Sequence, residues 1–159
     1  FAVLLNFPRF NKMKGMGQIV TWSVRDETLH TESAIKLFRT FVTENPEVLT
    51  PELEKDIYKA CETVISHEDA FINLAFELGG VKGLEAKQVK DYIRYIADLR
   101  LTQLGMEKLF YIKEHPLPWM VEMLGGVEHT NFFEGRATEY SRASTTGSWD
   151  ETFKEAFGT

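Results

Sequence analysis

Three stretches of helical period, each longer than five turns and each closed by proline or glycine, restrict what this chain can become. In "KMKGMGQIVTWSVRDETLHTESAIKLFRTFVT", from Lys12 to about Thr43, the apolar positions Val20, Val24, Ala34, Phe38 and Phe41 follow helical spacing. Pro46 and Pro51 in "TENPEVLTPE" end that helix, and Thr50 before Pro51 offers an N-cap and a first-turn proline for the next. The second helix is predicted from Pro51 to about Leu78, with Ile57, Cys61, Val64, Phe71, Ala75 and Leu78 on one stripe, and "GGVKG" stops it. A third begins near Leu84 and carries Val89, Tyr92, Ile93, Ile96 and Leu99 before Gly105. Long helices joined by short connections predict antiparallel packing in a bundle, and no period-two alternation suggests a strand. The opening "FAVLLNF" reads like the second half of an apolar helix, the expectation being a fragment or a processed product.

After about Met106 the character changes. "FYIKEHPLPWMVEMLGG" sets prolines beside aromatics, and the chain beyond it loses helical period while gaining Ser, Thr and Gly. The last twenty or so residues have the composition of a tail that orders on a partner. The expected division is a helical portion over 1–125 and a C-terminal segment over 126–159. The formal charge of −6 disfavours nucleic acid or an anionic membrane, since counterion release needs a basic surface. Cys61 is the single cysteine, so no internal disulfide forms and a reducing cytoplasm fits best. No window approaches the roughly 18 apolar residues of a spanning helix.

One constellation carries chemistry. Glu27 and His30, in "VRDETLHTES", stand three apart, which on a helix places both side chains on one face about one turn apart. Counting along Val20, Val24, Glu27, Ala34 and Phe38 sets Glu27 on the predicted buried stripe. A carboxylate and an imidazole directed into a core must be paired, protonated or metal-bound. Glu-x-x-His on a bundle helix is the half-site of carboxylate-bridged dinuclear metal proteins, whose oxygen and nitrogen donors suit iron or manganese. The same spacing also arises by chance on helices that bind nothing. The remaining candidates read as structural: Glu68 beside His67 as a hydrogen-bonded or helix-edge carboxylate, His115 and His129 as surface or capping groups, Cys61 as a small core residue.

The segments "GMGQIVTWSVRDETLHTESAIKLF", "DYIRYIADLRLTQLG", "HPLPWM" and "NFFEGRATEYS" together resemble the small, radical-generating subunit of class I ribonucleotide reductase across nearly the whole chain. The resemblance implies an all-α, ferritin-like helical bundle, partial here, with an irregular C-terminal tail. It implies that Glu27 and His30 are metal ligands and that Asp26 hydrogen-bonds within the electron and proton path toward the large subunit. By the same resemblance Glu134 and Tyr140 serve long-range radical transfer, and the phenylalanines of "WDETFKEAF" anchor a docking tail.

The family's remaining ligands and its radical-bearing tyrosine region have no counterpart here, so the chain looks like the C-terminal half of the subunit. Its dinuclear centre (Fe/Fe, Mn/Fe or Mn/Mn) would be incomplete in this chain alone. The implied partners are the large subunit, an N-terminal half and, for the complete subunit, a second copy. Two other readings stand beside this one: another ferritin-like dimetal oxidase, and a metal-free helical interaction module.

Overall fold

The computed structural model describes residues 1–125, and every element in that range is helical. In chain order these are α1 (Ala2–Arg9), α2 (Lys14–Glu44), a short 3-10 turn (Pro46–Val48), α3 (Pro51–Ala75), α4 (Ala86–Leu104) and α5 (Pro118–Gly125). The punctuation acts as the sequence predicts. Thr50 Oγ1 accepts the Leu53 N–H at 3.2 Å with Pro51 opening α3, and Gly105 closes α4 at φ +89°, a conformation open to glycine at little cost. Two features differ: α3 ends at Ala75, short of Leu78, and Pro118 opens a further short helix, α5, that helical period alone did not assign.

α3 and α4 form an antiparallel hairpin, shown by pairs that step in opposite directions along the two helices. Tyr58 O–H donates to the Glu107 carbonyl, Arg94 binds Asp69, and Lys90 Nζ donates to Asn73. α1 packs on α2 through a close approach in which a side chain on Gly17 would meet the Pro8 ring, its Cβ lying 2.6 Å from Pro8 Cγ. A shared core of Ala2, Leu5, Val20, Ile72, Leu84, Val89, Leu117 and Met120 draws on α1 to α5 and the segments between them. Around it, Asn6 donates to the Lys82 carbonyl, and Arg9 donates to the Gly83 carbonyl while lying over Trp119 at 4.9 Å, joining α1, the turn before α4, and α5.

The Arg94–Asp69 pair is bidentate, at 2.6 and 3.0 Å, with both side chains about one quarter exposed. Hydrogen bonding from Arg94 holds the Asp69 carboxyl below its usual range, against the opposing effect of burial. A depressed folded-state value means the contribution is complete above the unfolded value of about 3.9 and is lost as pH falls through the lower folded one. Asp69→Asn is therefore expected to cost about 1 kcal/mol at neutral pH. In urea titrations the gap from the parent should narrow as pH falls below about 3.9 and close once pH is below the lowered folded value.

Several predicted stripes are rotated from the real core. On α2 the inward positions are Gly17, Val20, Val24, Ile35, Phe38 and Val42, whereas Ala34 and Phe41 are exposed. On α3 the buried positions are Ile65 and Ile72, while Val64 and Phe71 face outward; Leu78, beyond the end of the helix, is exposed as well. Both helices carry apolar residues on two faces, so counting apolar positions alone does not fix which face turns inward.

Candidate metal-binding face of the long helix

Glu27 and His30 lie near the middle of α2, within regular helix. Thr28 O–H donates to the Val24 carbonyl at 2.7 Å, and Thr31 O–H donates to the Glu27 carbonyl at 2.8 Å, each reaching back one turn. As the three-residue spacing requires, the two side chains meet: His30 Nδ1 is 3.6 Å from Glu27 Oε2.

Their burial corrects the sequence expectation. Glu27 is not buried; its side chain is 58% exposed and that of His30 64%. At about 100° per residue Glu27 stays within about 20° of Val20 and Phe38, but residues 25–30 are all exposed, so among the described residues nothing covers this part of α2. The pair is thus not compelled by an apolar core within these residues to find a counter-charge. Its position is informative for another reason. The stripe that carries it also carries Ile19, Ala34, Leu37 and Phe41, all exposed, with Leu37 at 72%. A long helix with a carboxylate and an imidazole set among uncovered apolar side chains has the pattern of a bundle interior.

The donor types fit one side of a dinuclear centre: a carboxylate oxygen and an imidazole nitrogen on adjacent turns, close enough to converge on one ion. They supply two ligands. Among the described residues no group of three or more His, Cys, Asp or Glu side chains gathers into a cation site. Asp26 is also exposed on α2. Glu134 and Tyr140 lie outside the described residues, as does His129.

The other candidates stay structural. Cys61 is half-buried, and burial, reinforced by Glu62 and Asp98, pushes its thiol up, away from nucleophilic use. His115 is a capping group, its Nδ1 accepting the Leu117 N–H at 3.1 Å. An open groove of about 520 Å³ between the C-terminal half of α2 and Gln103 of α4 is lined by Glu32 and Glu44 as well as Lys36 and Arg39. It includes neither Glu27 nor His30. No helix among the described residues is long and apolar enough to cross a membrane.

Residues 1–116 match the family model described as "Ribonucleotide reductase, small chain". The chain is 46% identical over 150 residues to a protein of Invertebrate iridescent virus 3 named "Probable ribonucleoside-diphosphate reductase small subunit 048L", covering 94% of this chain and 40% of that one. It is 37% identical over 149 residues to the "Ribonucleoside-diphosphate reductase subunit beta" of Chlamydia pneumoniae, covering 94% and 42%. In three dimensions it resembles the R2 subunit of ribonucleotide reductase from Clostridium botulinum, with a TM-score of 0.70 and 25% identity over 74% of this chain and 37% of that one. The chain spans about two fifths of the length of the curated relatives it matches. The ferritin-like helical fold expected from the sequence is shared with these structures.

Proposed function

Because this chain belongs to the ribonucleotide reductase small-chain family, we propose that it forms the C-terminal half of a ribonucleoside-diphosphate reductase small subunit and contributes Glu27 and His30 to a dinuclear metal centre. The observation that carries this reading is the placement of that pair, side by side on the uncovered apolar face of α2. In this proposal the N-terminal half of the subunit lies over the face and brings the missing ligands. Small subunits of this family work with a large subunit, which we take to be this chain's partner in deoxyribonucleotide synthesis.

When bound, the dinuclear centre would supply the one-electron oxidising capacity of the complete subunit. This chain's residues would do the rest. Glu27 would hold the centre through its carboxylate and His30 through an imidazole nitrogen. Asp26, next to Glu27, would hold a proton at its carboxylate on the path toward the large subunit. Glu134 and Tyr140 would extend that path within 126–159, and Phe153 and Phe157 of the tail would anchor docking. Iron, manganese or one of each would suit the donor set.

The test is Tyr140→Phe in the subunit co-expressed with its N-terminal half and supplied with the large subunit. Nucleotide reduction is expected to fall to background while the metal content stays at about two ions per subunit. Retained reduction would remove Tyr140 from the path. A preparation that binds no metal and supports no turnover would point to a metal-free interaction module. Metal-dependent oxidase activity without any dependence on the large subunit would point to another dimetal enzyme.

A further inference from the structure

We infer that His115 is a pH-sensitive latch that strengthens the docking of α5 against α4 while its imidazole is neutral. The ring lies against Tyr92 and Tyr95 of α4, with centroids 5.4 and 4.9 Å away, and its Nδ1 accepts the N–H of Leu117 at 3.1 Å. Leu117 is 1% exposed, immediately precedes α5, and belongs to the core with Met120 of that helix. Water therefore has little access to replace the imidazole as acceptor. Neutral imidazole has one acceptor nitrogen and imidazolium has none, so no flip of the protonated ring restores the bond. Protonation leaves two N–H groups facing each other at a half-buried site.

The charges around the ring do not undo this. On α4, Arg94 is held by Asp69, Asp91 by Lys87, and Arg100 by Gln103. Burial pushes the Tyr92 phenol up, keeping it uncharged. Lys113 and Glu114 beside the ring, and Glu122 on α5, are exposed. Among the described residues no carboxylate or cation pairs with His115. Docking of α5 is thus favoured when the ring is neutral and weakened when it is charged.

The test is amide hydrogen exchange of the full chain, with rates normalised to the intrinsic rate at each pH. Between about pH 7.5 and 5.5 the protection of Leu117 and Met120 is expected to fall by about tenfold or more, while that of Val89 and Leu101 in α4 holds. In His115→Asn, an amide oxygen can accept from the same N–H in an Asx turn and does not titrate, so protection should persist at both pH values. Three results would overturn the latch: constant protection while the imidazole is seen by NMR to titrate, an imidazole that stays neutral to about pH 5.5, or the same loss in His115→Asn. The wild-type measurement alone decides if the variant does not fold.

Discussion

Replacing Glu27 with alanine in the reassembled subunit is expected to empty the metal centre while leaving the helices of this chain as stable as before. The two halves of that expectation have separate physical sources. Loss of even an outer partner of a metal ligand costs about ten- to a hundredfold in affinity, so losing a ligand itself should cost more than a hundredfold. Stability, in contrast, owes Glu27 little. Its side chain is mostly exposed, and among the described residues it pairs with His30 at 3.6 Å, an exposed pair across one turn of helix. The change in unfolding free energy of the isolated chain should stay within about 0.5 kcal/mol. Metal analysis of the co-expressed subunit, alongside urea unfolding of this chain, reads both quantities. His30→Ala should behave likewise. Full metal loading in both variants would refute the assignment, whereas loss of loading accompanied by a large fall in stability would assign the pair a structural role.

The Glu27–His30 contact was legible before any coordinates because helical geometry fixes which side chains are neighbours at three residues' separation. Helix ends were legible for a similar reason: Thr50, Pro51 and Gly105 act through local backbone chemistry that needs no knowledge of the rest of the fold. Phase was not. Ile19, Leu37 and Phe41 on α2, and Val64 and Phe71 on α3, are as apolar as the residues that do pack, and only tertiary contacts choose between the two faces. Tertiary contacts also decide which stretch of a face is covered, and none among the described residues covers α2 at Glu27. α5 was hidden by its brevity, although Pro118 at its first position is a recognised opening signal. The network around Asp98 carried no sequence signal, because the amides it binds belong to backbone eleven to fourteen residues away.

That network should make Asp98→Ala the most destabilising single change among those considered. Asp98 is 2% exposed near the C-terminal end of α4, and its carboxylate accepts three backbone N–H groups from the segment after the helix: Leu109 and Phe110 on Oδ1, both at 2.9 Å, and Ile112 on Oδ2 at 3.1 Å. Between them Tyr111 adopts φ +55°, a left-handed conformation that costs a non-glycine residue about 1–2 kcal/mol. The carboxylate thus holds a strained turn closed. Each buried amide deprived of its acceptor costs about 1–3 kcal/mol, but the three donors here are half-buried and regain some water once the segment lifts. The expected total is about 3–4 kcal/mol, a large part of the roughly 5–15 kcal/mol that holds a domain of this size together. Part of the loss should propagate, because Phe110 lies 5.7 Å from the Arg94 guanidinium that binds Asp69. Asp98→Asn retains one carbonyl oxygen, enough for the Leu109 and Phe110 amides, but turns an NH2 toward Ile112, and should cost about half as much. Urea midpoints give the free energies, and hydrogen exchange at Leu109, Phe110 and Ile112 locates the change. A loss below about 1 kcal/mol for the alanine variant would mean that water replaces the carboxylate at little cost and that the turn closes without it.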